Sequence, residues 1–598
     1  MTYSHSPFQK VQSHVPATLY SFLWLTIITT TGLHLAFNIF SAPVWHDDAP
    51  YSSDLAWVWS YISNKQLEIW YRYDFRTISE HPYVFYDQWL FSLSEMGLTS
   101  PIKDRLIMLW IFMMASTFYI YYSILKSTPY RDKLIHIEGR QPIYSRAAKI
   151  LSKNERLTTK IHKDTIALAP KAKLSAEAET QHFIAVASSG GGKTQKIKYW
   201  LGQILRRGER VLIHDTKGDF TAQLPVSNFI FLAPHDKRSH GWAIARDCIG
   251  PAAARELAAA LIPETQDPVW SNGSRELLTG ILIHLQINNG TKWGWRKITS
   301  IAYDSPKYLE DILSESYPQA AQYISLDDTG MPNRTSFSFL VGLWTAIGQT
   351  IAPLAEAWGY LPEKQCISIT EWLQKGTLPI IMQRSAQFPE LSAAWMQALI
   401  GQISNYACSS ALSDSQTRRI WLVLDEFAQL KKVNGFQQIL ETGRSKGICS
   451  IIGVQDLEQI AAIYGEKELK SWLNIIRTKI IGRMNAGPSA QFISNEVIGS
   501  RRVGWYNESF SSANQSALDM TNMNQASPTR STNFSTEVVP AVSASDLEKE
   551  YGLIEKHGVK HIRSLVLLHG NAYQLDWPIT VWENRRAAVV PADWTGVE

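Results

Sequence analysis

Cysteine is scarce in this chain of 598 residues: Cys248, Cys366, Cys408 and Cys449 are scattered, and no two form a CxxC pair. That excludes a disulfide scaffold and argues against a cysteine-based zinc site. A strong charge imbalance is also missing. Lys plus Arg number 58 and Asp plus Glu 54, so the net charge of +4 names no nucleic-acid partner, although a basic face fits inside a near-neutral total. No internal repeat is visible. Charged residues make up only 19% against 45% hydrophobic, which excludes wholesale disorder. At roughly 150 residues per domain, the length sets a prior of about four structural units.

Long hydrophobic runs are present near the amino end. Residues 19–40 and 106–125 contain no charged side chain. Each is close to the ~20 residues that carry a helix across ~30 Å of hydrocarbon, so two transmembrane helices are predicted there. Residues 126–149 hold six basic and two acidic side chains, whereas residues 41–104 hold four basic and nine acidic. The positive-inside rule then places residues 1–18 and everything after the second span in the cytoplasm, with the loop 41–105 outside. Lys10 is the only Lys or Arg before the first span, and no clear small-residue cleavage site follows, which argues against a cleaved signal peptide. The outer loop is rich in aromatics, among them Trp57, Trp59, Trp70 and Trp89. They suit either a membrane interface or a partner surface.

After a basic juxtamembrane linker, residues 126–180, the pattern changes. HFIAVA (182–187) reads as a short buried strand, ASSGGGKT (187–194) as a loop, and QKIKYWLGQILRRG (195–208) as a helix. This is the [A/G]xxxxGK[ST] phosphate loop in the strand–loop–helix context that it needs. Gly190, Gly191 and Gly192 have no Cβ, so with Ser188 and Ser189 their backbone N–H groups can wrap phosphates at a helix N-terminus. Lys193 is placed to reach the β- and γ-phosphates, and the Thr194 hydroxyl to ligate Mg²⁺. A second strand, RVLIHD, ends at Asp215. That carboxylate and Lys217 either lie near the nucleotide or serve the next turn, and the sequence leaves both open.

The partner motif is IWLVLDEF (420–427): five apolar residues ending in two acids. Such a run is a buried parallel strand delivering Asp425 and Glu426 at its carboxyl end, where α/β proteins bind ligands. Asp425 is assigned to Mg²⁺ through water, and Glu426 to polarising the attacking water. Two acids mark the hydrolytic class, and no NKxD stands in a fitting place, so ATP is favoured over GTP. Residues 439–460 read as helix, turn and strand, ending at Gln455, an amide suited to sensing a γ-phosphate. Arg444, in the turn, is either a solvated surface residue or a finger that enters a neighbour's site. Further strands are predicted at 477–484 and 565–568.

In order along the chain stand ASSGGGKT, HDTKGDF, DPVWSNGSRELL (267–278), LDEFAQL (424–430), TGRSKG (442–447), GVQDLEQI (453–460) and IIRTKIIGRM (475–484). Together with two amino-terminal spans, this set resembles the type IV secretion coupling proteins, most closely the TraD-like conjugative coupling factors of the FtsK/HerA-type P-loop ATPase superfamily. The resemblance implies an α/β, RecA-like nucleotide-binding domain (181–249 and 366–598), with an all-α domain inserted at 250–365. It implies ATP and Mg²⁺ as ligands and a homo-hexamer under the bacterial inner membrane. It also implies partners: a relaxase or relaxosome, single-stranded DNA, and the inner-membrane components of a type IV secretion channel. It favours Arg444 as the finger and Gln455 as the nucleotide sensor. The tail beyond Trp582 lacks the acidic run by which some relatives grip the relaxosome. Residues 507–536, rich in Ser, Asn and Thr, are predicted to be a flexible loop, with a segment lining the ring pore as the alternative. The leading function is therefore ATP-driven delivery of a relaxase–DNA complex to the channel. Alternatives are export of protein effectors without DNA, an FtsK-type translocase, and a nonhydrolytic scaffold. Intact Lys193, Asp425 and Glu426 argue against the last.

Overall fold

The computed structural model describes residues 135–158, 165–511 and 529–596, with isolated positions in the first 134. The chain divides into two units, Met1–Ile135 and His136–Glu598. In the first, Val44–His46 pairs antiparallel with Ala49–Tyr51. The predicted spans at 19–40 and 106–125 lie outside the described residues, apart from isolated helical positions such as Ile27 and Ile111. Among the described residues one helical run, Arg334–Trp358 in the second unit, is long and apolar enough to cross a membrane by length and composition; 44% of its most apolar window is buried.

The second unit is built on an eleven-stranded mixed sheet. Its main strands are β1 (Phe183–Val186), β2 (Arg210–Asp215), β3 (Ile230–Leu232), β4 (Ile380–Gln383), β5 (Ile420–Leu424), β6 (Ile448–Val454), β7 (Thr478–Ile481), β8 (Val559–Leu568) and β9 (Asn571–Pro578). Their spatial order is β9-β8-β7-β1-β6-β5-β2-β4-β3. From β7 to β3 every pairing is parallel. β8 and β9 extend the sheet antiparallel, and Gly552–Lys556 pairs with β8. The central strands are continuous apolar runs because both faces are covered. All five side chains of β5 are fully buried, each contributing about 1.5–3 kcal/mol of transfer free energy.

Two hydrophobic clusters lie on the two faces. One holds Phe183, Ile213, Trp421, Val423 and Ile451 against Trp200, Leu201 and Ile204 of helix α1 (Lys193–Arg206), together with Trp577 of β9. The other holds Leu212, Met382, Leu422 and Ile452, and continues without a break into the helices between β3 and β4. They include α2 (Gly250–Leu261), α3 (Pro268–Asn289) and a further set that runs through Ala352–Trp358 to Ile369–Lys375. α3 begins with Pro268 at its first position and an Asp267 carboxylate that accepts from the Val269 N–H at 3.1 Å, the ordinary chemistry of a helix start. The helical insertion thus shares one core with the sheet and with α4 (Pro389–Cys408), rather than hanging from it.

One expectation is corrected. Residues 507–536 are not a loop throughout: Ser500–Ser511 and Thr529–Pro540 form an antiparallel ribbon in continuous register from Ser500↔Pro540 to Ser511↔Thr529. Residues 512–528 lie outside the described residues. Composition misread the ends because a ribbon satisfies its backbone groups strand to strand and needs no apolar run to do so.

Candidate functional site

The site lies at the carboxyl edge of the parallel strands. β1 and β5 are not neighbours: β6 sits between them, in register Val186↔Val454 and Ile452↔Leu424. The phosphate loop after β1, Gln455 after β6 and the acids after β5 therefore emerge side by side. In the loop, the Gly191 N–H donates to Ser188 O at 2.9 Å. Both the N–H and the hydroxyl of Ser188 donate to the Arg483 carbonyl, each at 2.9 Å, which ties the loop to the end of β7. Gly192 caps α1 with φ 78°, and a Cβ there would stand 2.3 Å from Ile562 of β8, so only glycine fits. Ser189 and Gly190 are exposed at the tip.

Lys193 and Asp425 face one another below the loop. Nζ lies 3.3 Å from Asp425 Oδ1 and 3.9 Å from Glu426 Oε1, and the Lys193 and Asp425 side chains are each only 8% exposed. The pair is close but out of hydrogen-bond alignment: Lys193 Nζ and Asp425 Oδ1 have no hydrogen-bond partner. The Thr194 hydroxyl donates to Asp425 Oδ2 at 3.3 Å. A buried ammonium and a buried carboxylate oxygen with unspent capacity, beside a hydroxyl, fit a phosphate and the hard cation that accompanies it. Burial pushes the Asp425 carboxyl up, Lys193 draws it back, and Glu426 adds a smaller upward push. Glu426 adopts left-handed backbone, φ 55° and ψ 58°, a conformation uncommon outside glycine and concentrated at functional sites. Its Oε1 accepts from Gln455 Nε2 at 2.7 Å.

Two supporting residues escaped sequence reasoning. His214 of β2 donates from Nδ1 to the Asp425 carbonyl at 2.8 Å, and burial pushes its pKa down to about 4, so it is neutral at pH 7. Gly453 of β6 lies beside the acids, where a Cβ would stand 3.0 Å from Asp425 Oδ1 and 3.0 Å from Lys193 Cδ. A glycine inside an apolar strand was the available signal for that close approach.

The open alternatives separate. Asp215 accepts from the N–H groups of Gly218 and Thr221 at 2.9 and 2.7 Å and from the Thr221 hydroxyl at 2.8 Å, so it serves the next turn. Lys217 is exposed. Arg444 lies in the turn between helix α5 (Phe436–Thr442) and the amino end of β6, with its side chain 52% exposed and ion-paired to Glu177. Its own phosphate loop follows the carboxyl end of parallel β1. The length of β6, seven residues at ~3.3 Å each, separates the two.

The family model described as "Type IV secretion-system coupling protein DNA-binding domain" matches residues 167–562. The coupling protein TraD of Escherichia coli (strain K12) is 22% identical over 334 residues, 54% of this chain and 44% of that protein. The match thus spans less than half the length of that relative. Among solved structures, the unbound bacterial conjugative coupling protein TrwBdeltaN70 has a TM-score of 0.59 at 16% identity, covering 77% of this chain and 96% of that one. The plasmid coupling protein TrwB in complex with ADP and Mg²⁺ has a TM-score of 0.58 at 17% identity, covering 76% and 98%. These structural likenesses speak for the fold.

Proposed function

Because the chain belongs to the type IV secretion-system coupling protein family, we propose that it is the ATP-hydrolysing, inner-membrane coupling motor of a conjugation apparatus. It assembles as a homo-hexamer, recruits a relaxase–DNA complex and delivers it to the secretion channel. One observation carries the reading: Lys193, Thr194, Asp425, Glu426 and Gln455 converge at one edge of the sheet, while Arg444 stands at the opposite edge. A site whose finger is on the far side of its own domain is completed by a neighbour, as in a ring.

Ser188 to Gly192 and the start of α1 cradle the phosphates of ATP, and Lys193 turns from Asp425 to them. Thr194 and Asp425 hold Mg²⁺, which neutralises charge on the phosphate oxygens. Glu426 accepts the hydrogen bond of the attacking water, and Gln455, which holds that carboxylate in the described state, reports on the γ-phosphate. Support for the ligands comes from the fit of the buried, unspent Lys193 and Asp425 and from the relative solved with ADP and Mg²⁺. Support for DNA comes from the family description. DNA contact is expected mainly with phosphates and without sequence preference.

The test is steady-state ATP turnover by the full chain in detergent, with and without single-stranded DNA across a salt series, with Glu426→Gln as the blank. DNA stimulation that fades with salt is expected. Turnover indifferent to DNA in an assembled ring would move the cargo to protein, and absence of turnover would remove the motor.

A further inference from the structure

The amino edge of the sheet, away from the nucleotide site, carries its own cluster of cations. Four adjacent strands are entered there by basic residues: β6 after Arg444 and Lys446, which are already paired with Glu177 and, at 2.9 Å, with Asp414; β5 after Arg418 and Arg419; β2 at Arg210; and β4 a few residues after Lys375. At ~4.8 Å between strands the part of the row from β5 to β4 is about 10 Å long. An open cleft of about 490 Å³ lies along it, lined by Glu209, Arg210, Lys375, Arg418 and Arg419, with Gly, Ser and Thr completing the wall. No apolar side chain lines it.

The charges in this cleft are unevenly matched. Glu209 is committed to Arg207 and to the Trp421 indole N–H, and Arg419 to the buried Glu179 at 3.2 Å. Arg210 donates to the Leu373 carbonyl, and Arg418 to Ser413 O at 2.9 Å, to the Ser413 hydroxyl at 3.3 Å and to Lys446 O at 3.4 Å. Among the described residues neither guanidinium has a carboxylate partner, and Lys375, exposed, has none either. Burial lowers the Arg210 pKa, and the like charge of Arg418 lowers it further. Guanidinium forks and an ammonium among hydroxyls, with no apolar seat for a protein side chain, suit phosphate oxygens.

The wall of the cleft is also bonded to the turn of Arg444. The Ser415 N–H donates to Ser445 O at 2.9 Å, Lys446 Nζ to Leu412 O at 2.7 Å, and the Ile420 N–H to Gly447 O at 3.0 Å. We propose that this cleft binds the phosphates of a nucleic-acid strand, and that a filled cleft braces the turn bearing Arg444, linking strand engagement to hydrolysis in the neighbouring subunit. The row is longer than one nucleotide, which favours a strand over a free phosphate. The inference rests on the proposed DNA-dependent motor and adds the surface that would take the strand.

The experiment measures anisotropy of a labelled single-stranded oligonucleotide on the full chain across a salt series. It compares wild type with Arg210→Gln/Lys375→Gln/Arg418→Gln, with ATP affinity read in parallel. Each lost phosphate contact should lower the salt slope by about 0.7, and the affinity near 0.1 M salt roughly fivefold, so the triple variant should lose about 2 in slope and about a hundredfold in affinity. DNA stimulation of turnover should fall with it while ATP affinity holds. Lys375→Gln alone, at an exposed side chain, should still lose about 0.7 in slope if the triple variant does not fold. An unchanged slope with intact ATP binding overturns the cleft and leaves the motor reading standing. Displacement of the oligonucleotide by inorganic phosphate as readily as by competitor DNA overturns it in favour of a free-anion site. A wild type that binds no DNA at low salt removes both.

Discussion

Replacing Gly453 with alanine isolates the close approach at the centre of the site. The new Cβ would stand 3.0 Å from Asp425 Oδ1, 3.0 Å from Lys193 Cδ and 3.4 Å from Asp425 Cα. Ordinary carbon contacts lie at about 3.5–4.0 Å, so the two charged side chains must retreat by roughly 0.5–1 Å from their places in the proposed phosphate and cation site. A misplacement of about 1 Å costs up to roughly a hundredfold in rate. Stability should move little, because alanine in a strand recovers about 0.5–1 kcal/mol of the chain entropy that glycine forfeits. Gly453→Ala is therefore expected to lower kcat roughly ten- to a hundredfold, with Tm within a few degrees of wild type. Gly401→Ala is the control: it lies within α4, its Cβ would meet nothing nearer than Asn434 O at 4.0 Å, and it should stabilise by about 0.5–1 kcal/mol without touching turnover. Steady-state turnover, ATP affinity and thermal unfolding on all three proteins decide the matter. Wild-type turnover by Gly453→Ala would refute the argument, as would equal loss of Tm in both alanine variants.

Arg444→Ala should leave ATP affinity intact and unfolding within about 0.5 kcal/mol, since the side chain is 52% exposed, yet abolish turnover. Mixing it with Lys193→Ala subunits should restore part of the activity, and no recovery in mixed rings would count against action in trans. Lys193→Met should abolish turnover and leave Asp425 and Glu426 without their cation, at a cost of up to about 3–5 kcal/mol. That loss should shrink as pH falls and Asp425, already shifted upward by burial, takes a proton; an acid-independent loss in urea titrations would contradict it. His182 is fully buried, its Nδ1 accepts from the Ser450 N–H at 3.1 Å, and burial pushes its pKa from 6.5 to about 4. Between those values the unfolded chain binds the proton and the native one does not. Stability present above pH 6.5 is thus lost toward pH 4, by roughly 3 kcal/mol for this residue. His182→Gln should flatten the acid limb by that amount, and an unchanged limb would place the effect elsewhere.

Much of the site was legible because its chemistry is local. A phosphate loop needs its glycines, lysine and hydroxyl in one short stretch, and an apolar strand ending in two acids is a strand in any context that buries it. The helical insertion was expected from the resemblance, and the stretch AAARELAAALI (252–262) also carries its helix preference within itself. The ends of the ribbon Ser500–Ser511 and Thr529–Pro540 were not, because their order comes from pairing with each other, and polar composition carries no sign of that.

By itself the sequence determined which strands are buried on both faces, which loop carries the phosphate-loop pattern, and that Asp425 and Glu426 end a strand. Only the tertiary structure decided what lies next to what. It inserted β6 between β1 and β5, setting Gln455 against Glu426 and Gly453 against Asp425. It turned Asp215 to its own turn, seated His214 under Asp425, and carried Arg444 to the far edge of the sheet. The physical reason is the parallel sheet: each strand's partners are separated from it by helical crossovers, so adjacency is set by strand order and register, which no short stretch of sequence contains.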